Sequence, residues 1–131
     1  AEFYVSLFPD ASILSVSRGA DGNAFTVEFE LQGSRYTALN GGPLFTFTEA
    51  FSIFVTVDGQ DEVDYYWNAL TANGGEESRC GWLKDKYGVS WQIVPKQLGE
   101  ALGNSDPAVS SFAMAAMMKM SKIIVSDLIP G

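Results

Sequence analysis

Residues 2–8 (EFYVSLF) and residues 64–70 (DYYWNAL) are two short aromatic segments of helical character set 62 positions apart, and each is followed by several strand-like runs. A repeat of this kind limits the possible folds more than any other feature of the chain. Two halves with one element order build two copies of a single supersecondary unit. In the second copy the run 51–57 precedes the helix. The same offset would put the matching strand of the first copy about a dozen residues upstream of Ala1. The chain opens at Ala1 without a Met, so the expectation is a longer natural N-terminus and a first unit that lacks its first strand here. The expected class is α+β. Two tandem βαβββ modules each form a curved mixed sheet with a helix on the convex side, and the concave faces surround a cavity.

The remaining elements follow from periodicity. Residues 2–8 place Phe3 and Leu7 on one side, and Pro9-Asp10 stops the helix. Residues 12–18 alternate as a strand, and 19–23 (GADGN) make a turn. Phe25, Val27, Phe29 and Leu31 alternate with Thr26, Glu28 and Glu30, the clearest half-buried strand in the chain. Residues 32–34 turn it into a hairpin partner over 35–40, ended by Gly41-Gly42-Pro43. In 51–57, Ser52, Phe54 and Thr56 face one way and Ile53, Val55 and Val57 the other. Val63, Tyr66, Trp67 and Leu70 form one helical stripe, with Asp61 and Glu62 at the positive end of the helix dipole. Residues 76–85 and 89–94 read as two strands around a tight turn. Asp106-Pro107 is an N-cap and N1 pair for a Met- and Ala-rich helix, and 123–129 is an apolar tail of undefined form. The expected organisation is a single domain over 1–131: a first module over 1–43, a second over 50–95, and a C-terminal helix and tail over 105–131.

Composition narrows the function. The chain has 131 residues, a formal net charge of -8, no His and one Cys. Such acidity disfavours polyanionic partners, so neither nucleic acid nor an anionic membrane is expected. No apolar run approaches the ~18 residues of a membrane span. Without His the chain cannot supply a Ser-His-Asp triad, a Cys-His pair or a His-bearing metal site. One Cys forms no internal disulfide, which fits a reducing compartment, most simply the cytoplasm.

Longer motifs carry a family likeness. The segment FYVSLFP over 3–9, TALNGGP over 37–43, VDYYW over 63–67, CGWLKDKYGVSWQIVP over 80–95 and MAAMMKM over 114–120 together resemble the vicinal oxygen chelate superfamily, also called the glyoxalase / bleomycin resistance / dioxygenase fold. Within it they resemble the PhnB-like branch, whose members often bear the label 3-demethylubiquinone-9 3-methyltransferase. The resemblance runs from Glu2 to about Leu128. It implies paired βαβββ modules, a homodimer and, in active members, a divalent metal held by His and Glu. By that analogy the ligand positions fall on the absent first strand, near Asn40, near Ser52 and at Gln92. None of these three residues is His or a carboxylate, and neutral side chains hold a divalent metal poorly. No metal and no cofactor are therefore expected. The methyltransferase label finds no G-x-G-x-x-G after a strand to support it.

Cavity candidates are Asn40, Ser52, Phe54, Trp82 and Gln92. Gln92 lies on an apolar strand, where its amide needs a hydrogen-bond partner and could orient a ligand. Asn40 precedes a Gly pair and could equally shape the turn. Ser52 and Phe54 share a face. Trp82 and Trp91 offer aromatic surface near the cavity, with core packing as the plainer reading. No catalytic residue is assigned. The expected function is binding of a small molecule in the cavity of a homodimer. The alternative is an enzyme of the same superfamily, the quinone-precursor methyltransferase of the family label or a metal-dependent lyase or dioxygenase.

Overall fold

A computed structural model describes residues 1–130, and the chain divides into two compact units, Ala1–Thr46 and the residues from Phe47 onward. The N-terminal unit comprises α1 (Glu2–Leu7), β1 (Ala11–Arg18), β2 (Ala24–Leu31) and β3 (Ser34–Leu39), with the strands in the antiparallel order β1-β2-β3. Pro9 ends α1 by holding Phe8 in an extended conformation (φ -103°, ψ 140°). Gln32 and Gly33 both have positive φ, 48° and 87°, the two-residue hairpin geometry that matches the twist of its strands. Phe29 and Leu31 are buried. The Phe29 ring lies 6.3 Å from that of Tyr4 on α1 and stacks at 5.4 Å on Tyr36 of β3. A register shift after Ile13 sets Ile13 opposite Phe29 and Val16 opposite Val27, so both apolar side chains share the Phe29 face despite their odd spacing, although both stay exposed. The other face is polar: Ser15 donates to Glu28, and Arg35 pairs in register with Glu30.

The C-terminal unit comprises β4 (Ile53–Val57), α2 (Gln60–Thr71), β5 (Glu76–Glu77), β6 (Trp82–Lys84), β7 (Ser90–Pro95), α3 (Lys96–Leu102), α4 (Pro107–Met117) and a 3-10 turn (Val125–Asp127). Its sheet order is β4-β7-β6-β5, with β4 and β7 parallel and the rest antiparallel. Val63, Tyr66, Trp67 and Leu70, the stripe read from the sequence, are buried, as are Leu83, Trp91 and Ile93 on the sheet. Glu62 accepts a hydrogen bond from the Asp58 N–H at the start of α2, a cap that complements the helix dipole.

Residues 76–85 do not form the single strand expected. The run breaks at 78–81, where Cys80 (φ 58°) and Gly81 (φ 86°) turn left-handed and their N–H groups donate to the Met120 and Ser121 carbonyls. The break turns one strand into two, so three strands follow α2 and the βαβββ order is complete in this unit. The helix α3 was not anticipated. Asp106 does cap α4, accepting from the Ala108 N–H at 2.9 Å with Pro107 at N1. The apolar tail folds back: Ile123 and Leu128 are fully buried with Leu98, and Val94, Leu102, Met117 and Met120 pack around them. Gln60 of α2 fastens the tail, donating to the Ile123 carbonyl and accepting from the Val125 N–H. Among the described residues no helix is long and apolar enough to cross a membrane.

Candidate functional site

Strand alternation divides the side chains of the second sheet between two faces. Leu83, Trp91 and Ile93 point to the α2 side and are buried. Phe54, Gln92 and Trp82 are direct neighbours across β4, β7 and β6, so they form one row on the opposite face. Ser52 precedes Phe54 by two residues and joins the same face. The Gln92 amide donates to the Ser52 hydroxyl at 3.0 Å. Four of the five candidates, Ser52, Phe54, Trp82 and Gln92, thus come together. Phe54 is exposed and the other three are half-buried.

Asn40 belongs to the N-terminal unit. It closes the end of the β2–β3 ladder, its N–H donating to the Phe25 carbonyl and its side-chain amide to the Ala24 carbonyl, both at 2.9 Å. Trp91 is fully buried on the helix side, and its indole N–H donates to the Asp85 carboxylate at 2.9 Å. Asp85 also accepts from the Tyr87 and Val89 N–H groups, which fixes the turn into β7.

Three residues absent from the sequence reading share the Gln92 face or border it. Lys84 lies opposite Ser90 in register, and Ser90 lies two residues before Gln92. Both could have been found by carrying the alternation two residues outward from Trp82 and from Gln92. Ser90 is only 1% exposed, and its hydroxyl has no hydrogen-bond partner among the described residues. The third residue, Glu49, reaches the face from the segment before β4 and forms an ion pair with Lys84. No sequence spacing announces it, because it stands outside any regular element. The hydrogen bond from Lys84 holds the Glu49 carboxyl below its usual range, and the same contact raises the Lys84 ammonium.

The donor set does not fit a divalent metal. Ser52 and Gln92 are neutral and already bonded to each other, and the ammonium of Lys84 on the same face opposes a second cation. Among the described residues no three His, Cys, Asp or Glu side chains converge. A separate open groove of about 370 Å³ lies along α4, lined by Phe112, Ala115, Ala116, Lys119, Met120 and Asp127.

Comparison with known proteins follows the same lines. The family model described as 3-demethylubiquinone-9 3-methyltransferase matches residues 1–94, which span both sheets through β7. A solved structure from Bacillus cereus, titled a putative 3-demethylubiquinone-9 3-methyltransferase, PhnB protein, is 32% identical with a TM-score of 0.66, over 72% of this chain and 86% of that one. Protein PA1353 from Pseudomonas aeruginosa shares the fold at 16% identity and a TM-score of 0.59, over 72% of this chain and 84% of its own. No curated protein matches the chain. The mixed-sheet α+β fold, the family match and the B. cereus likeness lead to one assignment: this chain belongs to the PhnB-like 3-demethylubiquinone-9 3-methyltransferase family and has its glyoxalase-type fold.

Proposed function

We propose that the protein binds a small molecule as a homodimer, on the sheet face that carries Ser52, Phe54, Trp82 and Gln92. The observation behind this reading is the Gln92–Ser52 hydrogen bond set between two aromatic side chains in one cross-strand row. An amide and a hydroxyl orient a ligand by hydrogen bonds, while Phe54 and Trp82 supply apolar surface, the usual composition of a small-molecule site. The exposed apolar side chains around Phe45 support the homodimer. The lone Cys supports a reducing compartment, the cytoplasm.

A thermal-shift screen of the full chain against a library of aromatic metabolites tests the reading. Stabilisation by at least one compound, lost in Gln92→Leu, is expected. No stabilisation by any compound would sink it.

The family name favours a second reading, methylation of a demethylated quinone precursor. Calorimetry with S-adenosylmethionine separates the two, because binding of that donor is required by the second reading and by no part of the first. For the metal-dependent versions, a stoichiometric divalent ion in the purified protein would overturn the conclusion drawn from the donor set.

A further inference from the structure

We propose that the ligand of this face is an anion with a flat apolar body, such as an aromatic carboxylate, and that Glu49 occupies the place of its acidic group until it binds. This inference rests on the small-molecule reading above and specifies the ligand's charge.

The argument starts from a count of free hydrogen-bonding groups. Gln92 spends one of its two amide N–H groups on Ser52, which leaves the other N–H and the Ser52 hydroxyl proton available to donate. The Ser90 hydroxyl is buried and without a partner. A buried hydroxyl that is left unpaired is costly, so it favours an acceptor brought by a ligand. Lys84, directly across the ladder from Ser90, adds an ammonium with donors only. Two hydroxyl donors, the second Gln92 N–H and one cation thus gather on one face, against the Gln92 carbonyl and the Glu76 carboxylate at the sheet edge as acceptors. A neutral acceptor uses this set poorly. A carboxylate uses it well, because charge-assisted hydrogen bonds are the stronger ones.

Within the protein an anion already makes use of part of this set. Glu49 pairs with Lys84, yet both side chains are well exposed to water, and exposed ion pairs contribute little to stability. A ligand carboxylate that also covers Phe54 and Trp82 gains apolar contact that Glu49 does not make there. Glu76, opposite Lys84 on the edge strand β5, stands at the end of the same row and its charge favours the Lys84 ammonium, but it forms no ion pair with Lys84 among the described residues, which leaves Glu49 as the paired carboxylate.

The test compares 2-naphthoate with its uncharged isostere 2-naphthamide, titrated into the full chain by calorimetry. Naphthoate is expected to bind more tightly than naphthamide. Lys84→Met should weaken naphthoate by about tenfold, the loss of one charge-assisted hydrogen bond, and leave naphthamide nearly unchanged. Glu49→Gln should act in the opposite direction and tighten naphthoate, a gain that no folding defect can imitate. Naphthoate binding no tighter than naphthamide, or a Glu49→Gln variant that binds naphthoate no better than the parent, overturns the inference. Binding of neutral compounds through Gln92 in the thermal-shift screen would meanwhile leave the small-molecule reading intact, so the two can fail separately.

Discussion

Among single residues, Asp85 carries the heaviest structural duty near the site. Its carboxylate is almost wholly buried and accepts hydrogen bonds from two backbone N–H groups and the Trp91 indole. Asp85→Ala would leave those donors without their acceptor, and a buried orphan donor costs about 1–3 kcal/mol. We expect Asp85→Ala to lower unfolding stability by about 3 kcal/mol or more in urea titration. An unchanged midpoint would refute the role. Glu49 and Lys84 give a prediction in pH. The folded Glu49 carboxyl titrates below its ordinary 4.5, so its contribution is present above that value and lost as pH falls through the folded value. Lys84 is raised above its ordinary 10.5, so its contribution is present below that value and lost as pH rises through the folded one. The pair therefore acts across the whole neutral range, and because both groups are exposed its effect is small. The difference in Tm between the parent and Glu49→Gln should be constant from about pH 5 to 9 and should vanish in acid. A difference that grows below pH 4 would contradict the pairing.

At the scale of elements, legibility followed periodicity. The alternation of Phe25–Leu31 and the helical stripe through Val63, Tyr66, Trp67 and Leu70 could be read directly, because each repeats one physical pattern over two or more turns or pleats. The same alternation set Ser52 and Phe54 on one face, whereas Gln92 entered through the family resemblance, and it is the strand pairing that brings Gln92 and Trp82 into line with Phe54. The break at 78–81 was not legible. It depends on Gly81 and on the carbonyls of Met120 and Ser121, which lie some forty residues away in the chain. Lys84 was legible and overlooked, since it stood next to a turn. Glu49 was not, because its contact is tertiary. The form of the tail stayed undefined for a related reason: an apolar run with no period shows that it must be buried and does not show where. Two predictions belong here. A Cβ at position 81 would stand 3.2 Å from the Ile93 carbonyl and from Ile123 at a φ of +86°, so Gly81→Ala should destabilise the unit and reduce amide protection of Gly81 and Cys80 in hydrogen exchange. Leu128→Ala should cost about 2–5 kcal/mol, the range for a buried Leu that leaves a cavity. A cost below 1 kcal/mol would mean that the tail is an appendage and not part of the core.

On the scale of the whole molecule, the apolar surface needs an explanation. Single exposed apolar residues are ordinary. Here Leu44, Phe45, Phe47, Phe51 and Phe54 are all strongly exposed within one short stretch, with Phe45 at 88%, and Ile13, Leu14 and Val16 add an exposed patch on β1. A protein that left this much aromatic surface in water would gain free energy by covering it, at about 25 cal/mol for each Å² removed. The charge works in the other direction. Each copy carries a net -8, so two copies repel. The two effects respond differently to salt, which screens the repulsion and leaves the apolar gain in place. We therefore expect sedimentation equilibrium to show a species of twice 14.2 kDa whose dissociation constant falls as ionic strength rises from about 20 to 200 mM. A Phe45→Lys, Phe47→Lys double variant should move the protein to monomer at micromolar concentration with its circular dichroism unchanged, since neither side chain is buried. A parent protein that stays monomeric at every salt concentration would remove the homodimer. An interface held by ion pairs would instead weaken as salt is added, so the sign of the salt dependence decides whether these aromatic residues form the contact.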